Sequence, residues 1–184
     1  MPDEIRTAAE VAQRSLAVFS VIGLAFGAER GAVLNWLSEN DLWKDLAPSE
    51  AGFIDTPAPS RKQIINAKWL SERLIVLLWA LRKIERLPPA NEQCDPGEFQ
   101  DVLPPYAEMG IREYLSQAKL RPGQDLIDAA NQILQLHWEA RDAKIKGRAP
   151  ILPVDLEIVQ ERHHAINWVI GYDNLPWDEV TTDT

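Results

Sequence analysis

The chain has 184 residues, of which 46% are apolar and 26% are charged, so its composition is that of a globular domain and not of a disordered or fibrous protein. One cysteine cannot form an internal disulfide, which excludes a small secreted scaffold built on disulfides. A net charge of -9 argues against nucleic acid, whose phosphates need cationic contacts, and favours a basic protein partner. We therefore expect a soluble cytoplasmic protein that binds no nucleic acid.

The N-terminal segment contains an apolar run from Leu16 to Phe26. This run is too short to span a bilayer, which takes about 20 apolar residues. A signal peptide would need a basic leader, whereas this one contains Asp3, Glu4 and Glu10. We expect neither a membrane segment nor a signal peptide.

Proline and glycine divide the chain into segments whose apolar spacing predicts helices. In chain order these are 3–28, 32–39, 48–54, 60–86, 108–119, 124–146 and 155–171. An irregular proline-rich loop is expected at 87–105, and no segment of useful length alternates as a strand would. The helix over 60–86 is apolar on all sides between Arg73 and Arg82, which is typical of a central buried helix. The sequence predicts an all-α fold: one compact domain over residues 1–184, with six to eight helices around helix 60–86.

Helical projection places several charged residues on apolar faces. Arg162 falls near the centre of the stripe on helix 155–171, with His163 at its edge beside Asn167. On helix 124–146, His137 and Arg141 fall among apolar residues. On the central helix, apolar neighbours surround Glu72 in the same way, whereas Glu161 and His164 project toward the polar side of their helix.

A guanidinium inside a core needs a carboxylate, because it cannot become neutral by losing its proton. The available carboxylates are Glu72, Asp142, Glu161, Asp178 and Asp183. We therefore expect a polar cluster where the central helix meets the last two long helices. Its candidate members are Glu72, His137, Arg141, Asp142, Glu161, Arg162, His163 and Asn167.

Two interpretations of this cluster stay open. In the first it is structural, an ion-pair network that sets the register of three helices. In the second it is a pocket in which the arginines bind an anion while His163 or His137 transfers a proton.

Four ordered motifs resemble the bacterial family catalogued as domain of unknown function 4272. They are the segments 72–81, 137–142 and 161–168 and the C-terminal segment 177–184. The resemblance runs from about Arg14 to the C-terminus. An aromatic residue usually stands at the position of His164 in that family, so this histidine departs from the pattern. The resemblance implies no established activity, but it does imply that the Glu, Arg, His, Asn and Trp residues belong together.

Other chemistries have weaker signals. Glu161 and His164 match one half of the Glu-x-x-His pairs of di-iron bundles, which need two such pairs. His137, His163 and Glu72 could supply three zinc ligands, but the neighbouring arginines would repel the cation. Cys94 has no neighbouring base in the sequence. We expect no metal and no cofactor.

Two of the seven tryptophans, Trp36 and Trp43, flank an acidic turn, and either could be an exposed anchor for a partner. Our first hypothesis is a non-enzymatic protein-binding domain of the immunity or interaction type, whose acidic surface attracts a basic partner. The alternative is an enzyme or a binder of anionic small ligands that uses Glu72, Arg141, Arg162 and His163.

Overall fold

A computed structural model describes residues 4–184 of the chain. Over this range it contains seven α-helices and no strand, which confirms the all-α fold. The helices are α1 (Ala8–Ala25), α2 (Arg30–Glu39), α3 (Pro48–Asp55), α4 (Arg61–Ala80), α5 (Ile111–Ser116), α6 (Gly123–Ile145) and α7 (Leu156–Val169). Short 3₁₀ turns lie between α2 and α3, between α4 and α5, and after α7, and the last of these turns begins at Trp177.

The central position belongs to α4, as its composition predicts. Ser60 caps its start and exchanges hydrogen bonds with Gln63 in a capping box. Every residue from Leu74 to Leu78 is buried, because α1 packs on one side of α4 and α7 on the other. Since α6 packs in turn on α7, the four long helices lie in the order α1, α4, α7, α6.

α4 ends at Ala80, six residues before the predicted end at residue 86. Arg82 adopts a left-handed conformation with φ of 59°, and the Lys83 amide donates to the Leu78 carbonyl. The Arg121 side chain then donates to the carbonyls of Trp79, Ile84 and Glu85. The left-handed residue and the Lys83–Leu78 hydrogen bond form a Schellman C-cap, in which Arg82 stands in place of the usual glycine.

The bounds of α1 and α5 also differ from the prediction. α1 begins at Ala8 because Thr7 and Glu10 form a capping box there, and the predicted start at residue 3 lies outside the described residues. α5 covers only Ile111–Ser116 of the predicted 108–119. Gly110 takes the extended N-cap conformation, which holds its start inside the predicted range.

The proline-rich loop 87–105 is irregular, with two 3₁₀ turns at Pro96–Glu98 and Gln100–Val102. It is nevertheless attached to the helices, because Leu103 is fully buried and the Ala90 carbonyl accepts a hydrogen bond from the Asp155 amide. The first part of the loop thus lies against the start of α7, where it can supply backbone groups to side chains of that helix.

α1 is longer than the apolar run that it contains. By length and composition it could cross a membrane, with a mean hydropathy of 1.3 over 18 residues, of which 61% are buried inside the fold. A core helix of a globular protein has the same composition, so this feature decides nothing about location. The expectation of no membrane segment stays a prediction.

Candidate functional site

The polar cluster centres on one buried ion pair between α4 and α7. Arg162 Nε donates to Glu72 Oε2 at 2.8 Å, and the two residues are 3% and 0% exposed. The other two guanidinium nitrogens of Arg162 donate to the carbonyls of Pro88 (2.6 Å) and Pro89 (3.2 Å).

The proline-rich loop completes this network. The second oxygen of Glu72 accepts from the Cys94 amide at 2.6 Å, so both ends of the 88–94 segment are attached to the ion pair. Every nitrogen of the Arg162 guanidinium has an acceptor. Because burial seals this network from solvent and each guanidinium nitrogen already has an acceptor, the structural interpretation is favoured.

Glu161 lies beside this pair but binds a different arginine. It forms an ion pair with Arg73, in which both side chains are about one-fifth exposed. The Arg73 guanidinium also lies 5.7 Å from the ring centre of Trp177. Glu161 was expected to pair with Arg162 or Arg141, but its carboxylate joins α7 to α4 through Arg73 instead.

A second buried ion pair, which the sequence reasoning missed, joins α1 to α3. Arg14 donates to Glu50 at 2.5 Å and to the Asp45 carbonyl at 2.6 Å, and both partners of the pair are buried. Within the described part of the chain, Arg14 Nε and Glu50 Oε1 have no hydrogen-bond partner. Burial accordingly lowers the pKa of Arg14 and raises that of Glu50, against the attraction between them.

The C-terminal segment covers this second pair. The Trp177 ring is buried, with the Arg14 guanidinium 5.1 Å from its centre. Asp178, expected as a partner for an arginine, instead accepts from the amide and the hydroxyl of Ser49 at 2.8 and 2.7 Å. Since Ser49 stands at the start of α3, this carboxylate stabilises the helix N-terminus.

His137 and His163 form a pair between α6 and α7. Their Nδ1 atoms lie 2.9 Å apart and the rings meet edge to face. Burial and the charge of Arg141 lower the pKa of His137. Burial and His137 lower the pKa of His163 to about 4, so the pair is neutral near pH 7.

Three candidate residues lie outside the sealed network. Arg141 is exposed and donates to the Thr184 hydroxyl at 3.1 Å, because the buried face of α6 continues through Ala140 and Ala143 and turns away from it. Asp142 is near the surface, where it binds Arg148 and Lys146. Asn167 is buried and donates to the Thr181 carbonyl at 3.0 Å.

His164 also differs from the expectation, because it is buried and not on a polar side. Its ring packs edge to face on Trp177, with the centres 5.0 Å apart, and Nε2 has no hydrogen-bond partner among residues 4–184. Burial and the nearby charge of Arg73 lower the pKa of His164 to about 3. A neutral histidine here occupies the place of an aromatic ring.

The proposed anchors Trp36 and Trp43 are both partly buried and pack against the core. Trp43 donates from its ring nitrogen to the Ser38 hydroxyl at 3.1 Å. Trp138 on α6 is more exposed, at 53%. The sequence did contain a signal for this exposure: Trp138 directly follows His137, which was placed on the buried face, and neighbouring residues on a helix point in different directions.

Burial and the charge of Glu72 raise the pKa of the Cys94 thiol to about 12, so this thiol is held in its unreactive protonated form. Within residues 4–184, no three His, Cys, Asp or Glu side chains converge in a way that could hold a metal ion.

Comparison with known proteins gives a family and no activity. Neither the curated proteins nor the solved structures contain a match to the chain. The model of one family, described as domain of unknown function (DUF4272), matches residues 1–180. The chain belongs to the DUF4272 family.

Proposed function

We propose that this protein is a binding module, which holds an apolar and basic segment of a partner protein in a groove beside Trp138. The observation that carries the proposal is a cluster of large apolar side chains exposed together: Trp138 at 53%, Ile151 at 81% and Leu152 at 51%. Half-exposed tryptophans grouped with aliphatic residues are typical of protein interfaces.

The groove lies between the outer face of α6 and the turn that follows it. It has a volume of about 650 Å³ and is lined by Trp138, Ile151 and Leu152 together with amides of Asn131 and Gln135. The turn is held in place, because Glu139 accepts from the Ile151 amide at 2.7 Å and binds Arg148. The groove walls are thus preformed, which reduces the entropy cost of binding.

The charge along the same face of α6 selects the partner. Asp125, Asp128, Gln132, Gln135 and Glu139 are spaced by three and four residues, so they form one row on the helix surface. Asp125 and Asp128 are exposed in the two turns of α6 that precede the groove-lining Asn131. Carboxylates at this end of the groove complement a segment in which apolar residues alternate with Lys or Arg.

The buried charges support a binding role more than a catalytic one. The Glu72–Arg162 network is closed by backbone carbonyls and by the Cys94 amide. Such a network fixes α7 against α4, and α6, the helix of the groove, packs on α7.

Selection from a random peptide library displayed on phage, with the full chain as bait, tests this proposal. We expect the enriched peptides to combine large apolar residues with Lys or Arg. Trp138→Ala should weaken their binding by at least about tenfold, as is usual for a central tryptophan. Asp128→Lys should also weaken it, since it reverses a charge beside the groove.

Matched controls exist elsewhere on the surface. Tyr106 is an exposed aromatic residue at 59%, and Asp101 is an exposed acid, and neither lies on α6. Tyr106→Ala and Asp101→Lys should bind the same peptides as the original chain does. Equal binding by Trp138→Ala would contradict the proposal. A dimer of the original chain that becomes a monomer in Trp138→Ala would also contradict it, because the occupant of the groove would then be a second copy of this chain.

A further inference from the structure

A separate cavity opens on the opposite side of α6, between α6, α7 and the C-terminal segment. Its volume is about 480 Å³, and its lining includes His137, Arg141, Lys144, Gln160 and Asp183. A smaller cavity of about 180 Å³, lined by His163, Asn167 and Asp183 among others, lies against the other member of the histidine pair. Each ring of the pair thus borders a cavity.

The polar part of the larger cavity includes two cationic side chains, Arg141 and Lys144. Arg141 donates to the Thr184 hydroxyl and is in no ion pair among residues 4–184. Lys144 lies 3.5 Å from Glu157, and both of these side chains are more than half exposed. Asp183 is the one carboxylate of the described lining. Neither cation is held by a buried carboxylate among residues 4–184.

The contact between the histidines determines which hydrogens face the cavities. One Nδ1 must donate and the other must accept, because they share a single hydrogen bond at 2.9 Å. A neutral imidazole carries one N–H, so the donating ring has a bare Nε2 and the accepting ring has an Nε2–H. When the pair takes up one proton from solvent, the bond between the rings survives and both Nε2 atoms become donors.

We propose that the larger cavity binds a small oxyanion through Arg141, Lys144 and His137, and that the histidine pair takes up one proton as the anion binds. The anion supplies the negative charge that the protonated pair lacks in the free protein. The charged groups around the pair are Arg141 and Lys144 from α6, Glu157 from α7 and Asp183 from the C-terminal segment.

The protonation state of the histidine pair in the free protein determines how the affinity for the anion changes with pH. Burial keeps the pair neutral near pH 7, with the pKa values of both histidines lowered. An anion in the cavity favours the charged form and raises the pKa of the pair. Binding must therefore become tighter as the pH falls from 7 toward 5.

Side-chain NMR of the imidazole nitrogens can follow this event in the full chain, which has three histidines. Inorganic phosphate is added at constant ionic strength, with chloride as the reference anion. We expect saturable shifts at His137 and His163 and a higher apparent pKa for the pair. His164, buried against Trp177 and outside both cavity linings, should shift less than the pair does. Succinate in place of phosphate shows whether the site prefers a carboxylate.

Two variants decide the assignment. Arg141→Gln should weaken phosphate or succinate binding by at least tenfold. Lys146→Gln is the control and should leave binding within twofold, because Lys146 is an exposed cation nearby in the sequence whose partner is Asp142. Equal binding by Arg141→Gln, or shifts that chloride reproduces, would overturn the proposal. So would saturable binding that leaves the pKa of the pair unchanged. Trp138 lies outside this cavity, so either result leaves the partner groove to be judged on its own test.

Discussion

Removing Glu72 is the sharpest test of the buried network. In Glu72→Met the guanidinium of Arg162, 3% exposed, keeps the carbonyls of Pro88 and Pro89 but loses its only carboxylate. A buried charge left without its counter-charge costs about 3–5 kcal/mol. For a chain of this length that corresponds to a melting temperature lower by about 6–20 °C.

The double variant separates the charge effect from the loss of packing. Glu72→Met with Arg162→Met removes both charges of this pair and places two apolar side chains of similar length in the same space. What it loses are the hydrogen bonds to the Pro88 and Pro89 carbonyls and to the Cys94 amide, in a loop that water can reach. We expect the double variant to be no less stable than either single variant.

Urea unfolding followed by tryptophan fluorescence and far-UV circular dichroism gives these free energies. Lys146→Met is the surface control, and it should change stability by less than about 0.5 kcal/mol. The reasoning is refuted if each single variant loses less than about 1 kcal/mol, or if the two losses simply add in the double variant.

Two further predictions concern the neighbouring groups. The folded state lowers the pKa of His164 from 6.5 to about 3, so the unfolded chain binds this proton first and stability is lost as the pH falls below 6.5. His164→Phe should therefore lose about 2 kcal/mol less than the original chain between pH 7 and pH 5 in urea unfolding, and an unchanged pH dependence would contradict this. Cys94, whose pKa is raised to about 12, should react with a thiol reagent at least about a hundredfold more slowly in the folded chain than in urea. Fast labelling at pH 8 would show that the loop is open.

The helices could be predicted because the signals for their starts are local. Ser60 caps α4, and Pro48 stands in the first turn of α3, where its missing N–H costs nothing. The end of α4 had no such signal. Arg82 adopts a left-handed conformation that favours glycine, and the stop is completed by Arg121, about forty residues later in the chain.

The site could be predicted where a charge stands at the centre of an apolar face. Arg162 does so, and Glu72 was one of the few carboxylates able to reach it. The carbonyls of the proline-rich loop could not be foreseen, because an irregular loop has no periodicity to place them. Arg141 was placed in the middle of the apolar stripe of α6, but the buried face continues through Ala140 and Ala143, so a shift in helical phase leaves Arg141 outside it.

Arg14 was missed although its position in the sequence indicated a buried charge. α1 is apolar on nearly every side, and a single arginine between the buried Val11 and Val18 was itself the signal of a buried charge. Its partner Glu50 lies in the short helix α3, whose packing on α1 depends on tertiary contacts that no local pattern encodes.

The central claim is that the buried charges stabilise the fold while Trp138 on the surface binds a partner. Two variants measured together test it most directly: Arg162→Met and Trp138→Ala, each for stability in urea and for affinity toward the peptides selected on the original chain. We predict that Arg162→Met loses several kcal/mol of stability, about 3–5, and keeps its affinity while folded. Trp138→Ala should stay within about 1 kcal/mol of the original stability and lose at least about tenfold in affinity. The reverse pattern, a stable Arg162→Met that no longer binds and a Trp138→Ala that does, would contradict the claim.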